Sequence, residues 1–428
     1  TQAGFFPGVV NTALTISPVL PVKDSTGQYT LKDVNADAWL DNPVAVTREV
    51  TAVDKAFKFV GNFYADYTIV PNLKFHVSLG VDEYQNTQDY YNPSITYSGS
   101  FNDGQARFSF SEFTTLLNEN TLNYNLNLQD QKFDFMAGVS YLKTTTRTFT
   151  EIVTGFPNDR LTYYGIGTAE NIPNIYPGFG DEAQLSYLGR INYNLKDKYL
   201  ITGTYRIDGS SKFGTNNKYG QFPSLALAWR ISSEEFMEQF ERLYSMKLRA
   251  SIGTSGNDAI PNYLYIPTMT TGVYYFNNSG PQTGYYQQTV GNDDLKWETS
   301  RQIDIGMDLS FFQGRISMVA DFYNKNTYDM LYYAEVPYTS GFSNAMINVG
   351  SMVNNGVEFT LNTVNFAGPF SWNSDFSISF NKSRITDLKN NNATYISDDT
   401  YKLKIGYWSI IDVGEELGSF YGLESDGI

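Results

Sequence analysis

The chain has 428 residues, of which 18% are charged, 41% hydrophobic and 16% aromatic (33 Tyr, 30 Phe and 5 Trp). With no Cys and one His it excludes a disulfide scaffold, a thiolate zinc site and a Cys nucleophile. A His-ligated metal centre or a Ser-His-Asp triad has too few residues to be built. A net charge of −15 argues against nucleic acid as a partner, because phosphate binding needs a basic surface.

No run of about 18 apolar residues occurs, so no transmembrane helix is expected. Residues 1–56 read as a lead-in segment, and residues 57–428 as strands and their connections. Period-two alternation starts with Phe57, Phe59, Phe63, Ala65, Tyr67 and Ile69, turns at Val70-Pro71-Asn72, and resumes at Leu73, Phe75, Val77, Leu79 and Val81. Successive strand side chains face opposite sides, so each such strand has one apolar and one polar face. His76 falls on the polar register. It reads as a structural polar residue, since it has no Cys or second His to share a metal.

The same alternation runs through Leu122–Leu128 and Phe133–Tyr141, through Leu185–Leu195 and Tyr199–Ile207, and through Leu225–Ile231 and Met246–Ile252. It returns in Ile303–Leu309 with Ile316–Phe322, and in Val357–Leu361 with Trp372–Phe380. The total is about twelve strands of roughly ten or more residues, enough to span a bilayer when tilted. Short turns near 70–72, 129–132, 196–197, 312–314 and 365–369 alternate with long connections near 85–104, 144–184, 209–221, 254–296, 326–351 and 383–400. One short connection, Ser232–Phe240, reads instead as a capped helical turn with Glu234 and Glu235 at its start. Short turns at one end and long loops at the other indicate an all-β fold, an antiparallel transmembrane β-barrel of outer-membrane type. A β-sandwich has shorter strands, and a β-solenoid needs a fixed repeat period that is absent.

The stretch Tyr205-Arg206-Ile207-Asp208-Gly209-Ser210-Ser211-Lys212-Phe213-Gly214 continues through Tyr219, Phe222, Pro223 and Ser224 into Trp229-Arg230-Ile231-Ser232. Lys247–Asn257, Asn292–Thr299, Asn348–Glu358 and Gly418–Ile428 follow in order. Together these segments closely resemble the SusC/RagA-like TonB-dependent outer-membrane transporters of Bacteroidetes. The resemblance implies a plugged barrel of about 22 strands, with a plug domain, a TonB-contacting segment and carboxy-terminal strands outside residues 1–428. The expectation is therefore an interior piece of the barrel domain, residues 57–428, with residues 1–56 an extracellular lead-in. Implied partners are a SusD-like surface lipoprotein, TonB, outer-membrane lipids and a glycan or peptide substrate. The implied activity is TonB-dependent nutrient import across the bacterial outer membrane. No cofactor and no metal is implied within this chain.

Two readings of the signature residues stand. Arg206, Asp208, Gly209, Ser210, Ser211, Phe213, Gly214, Tyr219, Phe222, Pro223 and Ser224 either fold and close the barrel rim or contact ligand directly. Gly and Ser supply tight turns, and Asp208 with Arg206 or Lys212 would order the loop. Aromatic residues in the long connections are the substrate or lid candidates: Tyr263, Tyr265, Tyr274, Tyr275, Phe276, Tyr285 and Tyr286, with Tyr90 and Tyr91 elsewhere. Aromatic faces stack on sugar rings or apolar peptide groups and anchor protein interfaces; packing of loop against loop is the alternative. No nucleophile-elbow, phosphate-loop or metalloprotease pattern occurs, so an enzyme is not expected. A passive porin or adhesin barrel without energy coupling is the rival transport reading.

Overall fold

The computed structural model describes residues 9–30, 41–240, 242–275, 280–388, 395–397 and 409–422. Five long strands come first: β1 (Thr51–Val70), β2 (Leu73–Asn92), β3 (Gln105–Leu128), β4 (Gln131–Thr154) and β5 (Asn171–Leu195). Then come β6 (Tyr199–Ser210), β7 (Tyr219–Arg230) and β8 (Leu243–Asn257). A hairpin of β9 (Met269–Tyr275) and β10 (Pro281–Gln287) precedes β11 (Glu298–Phe311) and β12 (Ile316–Tyr328). A second hairpin, β13 (Leu331–Glu335) and β14 (Asn344–Asn348), precedes β15 (Ser351–Phe366) and β16 (Trp372–Asp387). Short β17 (Tyr395–Ser397), β18 (Ser409–Ile411) and β19 (Ser419–Phe420) make a separate three-stranded sheet.

The main sheet holds twelve strands in sequence order, from β1 to β8 and then β11, β12, β15 and β16, skipping only the two hairpins. The chain divides into two compact units: Thr1–Phe63 with Leu79–Leu117 and Lys143–Asp181, and Tyr64–Ser78 with Asn118–Leu142 and Glu182–Ile428. Among the described residues no helix is long and apolar enough to cross a membrane, which leaves crossing by strands open.

The short turns have the backbone their positions require. Lys196 and Asp197 both have φ of +54°, the paired left-handed geometry whose twist matches two antiparallel strands. Asn194 Nδ2 and Lys132 Nζ donate to the Asp197 carboxylate at 2.6 and 3.1 Å and hold that turn. Phe312 and Gln313, at φ +53° and +57°, turn β11 into β12.

The alternation sorts side chains as the pattern requires. Phe59, Phe63 and Tyr67 on β1, Ile201 and Tyr205 on β6, Ile303 and Ile305 on β11 and Phe376 and Ile378 on β16 are all exposed. In a water-soluble domain a face of this size would be covered. Exposed aromatics crowd the short-turn end: Phe236, Phe240, Tyr244, Phe312, Phe366, Phe370 and Trp372. Such a girdle marks the level where hydrocarbon meets water.

The polar face is wired by ions. Arg249 on β8 reaches Asp308 on β11, with Nη2 2.8 Å from Oδ1, and also Asp321 on β12, at 2.9 Å. It crosses β11 over Gly306, which pairs with both Arg249 and Asp321. A Cβ at Gly306 would sit 2.7 Å from Arg249 Nη2, so the glycine makes the crossing possible.

Strands extend further into the connections than alternation shows. The connection expected over 144–184 shrinks to 155–170, because β4 continues to Thr154 and β5 begins at Asn171. The run Thr144-Thr145-Thr146-Arg147-Thr148 has no apolar face to betray a strand, yet β-branched threonines suit the extended backbone. Likewise β1 begins at Thr51, directly after the helix Pro43–Glu49 that Asn42 caps by accepting from Val44 N at 3.1 Å.

Candidate functional site

The signature residues converge where β6, β7, β8 and β11 end at the long-loop side. Arg206 donates from Nε to Asp208 at 2.6 Å and from Nη2 to Ser186 Oγ at 2.9 Å. Lys212 takes a different partner, Glu182, at 2.9 Å. Ser210 Oγ donates to Asp258 Oδ2 at 2.7 Å, and Gln184 Nε2 donates to the same oxygen at 2.8 Å. Ser211 and Ala183 exchange hydrogen bonds, each 2.9 Å long, through Ser211 N and Oγ. The loop after β6 is thereby tied to the start of the β5–β6 pair.

An apolar core fixes the other side of that loop. Phe213, Phe222, Ile260, Leu295, Trp297 and Met346 are buried together, with Leu264, Tyr265 and Leu331 packed against them. The Trp297 ring lies 5.4 Å from Phe213 and 5.5 Å from Phe222, edge to face with the latter. Its Nε1 donates to the Lys218 carbonyl at 3.0 Å. The glycines of the signature make room for these rings. A Cβ at Gly256 would sit 2.8 Å from Trp297, one at Gly220 would sit 2.5 Å from Phe222, and one at Gly214 would sit 2.8 Å from the Asp293 carbonyl oxygen. Tyr219 lies over Gly209 in the same way, while Pro223 and Ser224 are exposed on β7. Asn348 completes the set. It accepts from Lys296 N at 2.9 Å and donates to the carbonyls of Lys296 and Asp329 at 2.8 and 2.9 Å.

The tyrosine candidates separate into packed and presented groups. Tyr91 is fully buried with Ala106, Val153, Phe156 and Tyr163, and its hydroxyl donates to Asp159 at 2.7 Å. Asp159 also accepts from Ser94 N at 3.0 Å and Ser94 Oγ at 2.7 Å. Tyr90 is half-buried under the Arg107 guanidinium, 5.4 Å from its ring centroid. Tyr265 packs against the Trp297 core, and Tyr263 sits in a turn at φ +68°. Tyr285 and Tyr286, by contrast, are 72% and 55% exposed on β10. Tyr274 and Tyr275 lie on β9 opposite Gln282 and Pro281, with their side chains outside the described set. Phe276 also lies outside the described residues.

His76 sits on the polar face, its Nδ1 2.9 Å from Asp66 Oδ1 and its ring 6.1 Å from Tyr64. At the short-turn end Glu234 caps no helix with its side chain. It accepts instead from Lys198 Nζ at 2.9 Å, Tyr199 OH at 2.7 Å and Trp229 Nε1 at 3.0 Å. Those three donors, Lys198 foremost, pull its pKa down to about 2. Sequence reading missed Asp159, the hub of the Tyr91 cluster, and Tyr164, which is 78% exposed on the 155–170 connection. Neither residue carries a periodicity or motif that separates it from other loop residues.

Long strands with an exposed apolar face, an aromatic girdle and elaborate loops at the other end define an outer-membrane β-barrel. The chain belongs to the family of TonB dependent receptor-like β-barrels, which it matches over residues 10–427. The family places it in the bacterial outer membrane, where barrels turn an apolar strand face toward lipid and a polar one toward the interior. Among its relatives, TonB-dependent receptor P3 of Formosa agariphila is 32% identical over 424 residues, covering 98% of this chain and 42% of that protein. TonB-dependent receptor SusC of Bacteroides thetaiotaomicron is 30% identical over 418 residues, covering 88% of this chain and 40% of that one. The chain thus spans about two fifths of the length of these relatives. The solved RagAB peptide transporter superposes with a TM-score of 0.80 at 24% identity, covering 92% of this chain and 43% of that one.

Proposed function

We propose that this chain forms part of the wall and outer vestibule of a TonB-coupled importer of an oligomeric nutrient, glycan or peptide, working with a SusD-like surface lipoprotein. The observation that carries the reading is similarity above 30% identity, across nearly the whole chain, to receptors named for TonB dependence. The site adds a division of labour. The signature residues hold loops in place, and Tyr285 and Tyr286 on the β9–β10 hairpin present aromatic surface to a partner or substrate.

Uptake of labelled oligosaccharides and oligopeptides by cells carrying the full-length receptor, with and without TonB, tests this reading. Uptake of one class that disappears without TonB is expected. Joint replacement of Tyr285 and Tyr286 by Ala should weaken uptake or lipoprotein capture roughly tenfold, the effect of losing about 1–2 kcal/mol of aromatic anchor. Uptake indifferent to TonB would favour a passive porin.

A further inference from the structure

On the apolar face, the large side chains of β4, β5 and β6 give way midway to Ala137, Gly189 and Gly203. Gly189 pairs with Tyr205, and Gly203 with Ile191, so the two glycines lie on adjacent strands two residues apart in register. The result is a groove of about 600 Å³ walled by Leu73, Leu122, Tyr124, Phe135, Ile191 and Tyr205. It continues into a second groove of about 430 Å³ toward Phe75, Val139, Tyr187 and Ile207. Leu122, Ala137, Gly189 and Tyr205 line both.

These glycines differ from others in the sheet. At Gly306, Gly220 and Gly256 the absent Cβ makes room for Arg249, Phe222 or Trp297 of the same chain. A Cβ at Gly203 would meet nothing within 4 Å, and one at Gly189 nothing nearer than the Met136 carbonyl oxygen at 4.0 Å. Glycine inside a strand weakens it and marks a place where another group approaches the backbone closely. Among the described residues, none uses the room at Gly189 and Gly203.

We propose that this groove holds one acyl chain of an outer-membrane lipid, bound along β5 over Gly189 and Gly203 and retained when bulk lipid exchanges. The groove is continuous with the exposed apolar face of these strands, the face an outer-membrane barrel turns toward lipid, and Leu73, Leu122, Phe135 and Ile191 on its walls offer carbon surface to an acyl chain. Along β4 it runs from Phe135 to Val139, about 13 Å at ~3.3 Å per residue. That length fits within one leaflet of about 15 Å, half of the hydrocarbon core, and so suits a lipid chain better than a helix crossing the full thickness. In hydrocarbon, transfer from water drives nothing. Retention must come from close packing, which small residues permit and large ones prevent.

The test is native mass spectrometry of the full-length receptor, purified from its own outer membrane and passed through repeated detergent exchange. One lipid per barrel is expected to persist. Gly203→Leu and Gly189→Leu should reduce that retention at least tenfold, while Ala320→Leu, on the same face of β12, should not change it. Barrel assembly of each variant is checked by its mobility before and after heating, and Gly189→Ala supplies a milder change should leucine block assembly. The unaltered receptor gives its own reading. Lipid lost at the rate of bulk lipid, or equal retention in the assembled glycine variants, overturns the proposal. So does hydrocarbon that arrives only as the anchor of a lipidated protein, or a second barrel copy released by Gly203→Leu with no lipid retained.

Discussion

The aromatic cluster around Trp297 and the one around Tyr91 each anchor loop backbone to strand ends, but with different polar groups. Around Trp297 the hubs are neutral or shared: the indole N–H on the Lys218 carbonyl, and the Asn348 amide joining the backbone of Lys296 and Asp329. Around Tyr91 a single half-buried carboxylate, Asp159, collects one tyrosine hydroxyl and both donors of Ser94. The first cluster holds through rings seated on glycines and should fail when a ring is removed. The second holds through one charge and should fail when that charge is removed.

The largest expected effect is at Trp297. Trp297→Ala empties the centre of the apolar core and orphans the Lys218 carbonyl, a local loss of about 3–5 kcal/mol. Hydrogen exchange should accelerate over 209–221 and 292–299 and stay unchanged over 155–170. Acceleration in both regions would mean that the two clusters are not independent.

Asp159→Ala tests the other side of the comparison. Three donors lose their acceptor, and Tyr91, fully buried, is left with an unsatisfied hydroxyl, a cost of about 2–3 kcal/mol. Exchange should accelerate over 92–104 and 155–170, with 209–221 unaffected. Protection of 155–170 equal to that of the unaltered chain would show that the carboxylate is incidental and the aromatic packing sufficient.

The difference between the clusters also explains what was legible in the sequence. The Trp297 cluster takes Phe213, Phe222, Leu295 and Trp297 from segments whose composition and order carry the family resemblance, while Ile260 and Met346 lie outside those segments and have no sequence signal of their own. The strands were legible because one face must be apolar. Their extensions through Thr144–Thr154 were not, because above the hydrocarbon neither face carries that constraint. Tyr91 reads from the sequence either as a substrate or lid contact or as loop packing, and it is buried. Loop composition alone does not distinguish a tyrosine that presents its ring from one that packs it, whereas Tyr285 and Tyr286 do present theirs. Gly306 and Gly203 look alike in sequence, and only the neighbouring side chains show that one slot is filled from within the chain while the other is met by none of the described residues.

The smallest effect concerns Glu234, which repeats the Asp159 device at the short-turn end and asks whether a carboxylate hub needs a core around it. Like Asp159 it accepts from three donors, but among the described residues neither buried aromatic cluster includes its connection. Its pKa falls from the ordinary 4.5 to about 2, with Lys198 the leading cause, followed by Trp229 and Tyr199. A carboxyl group whose folded pKa is depressed adds stability above its unfolded pKa and loses it as pH falls through the folded value. The contribution is therefore whole above about pH 5 and fades between about pH 4.5 and 2. Glu234→Gln should lower the unfolding midpoint of the full-length barrel slightly and uniformly from pH 8 to pH 5. The gap to the unaltered protein should close as pH drops toward 2. A gap that persists at pH 2 would assign the effect to lost hydrogen-bond geometry rather than charge, and would place Glu234 closer to Asn348 than to Asp159 in how it holds its connection.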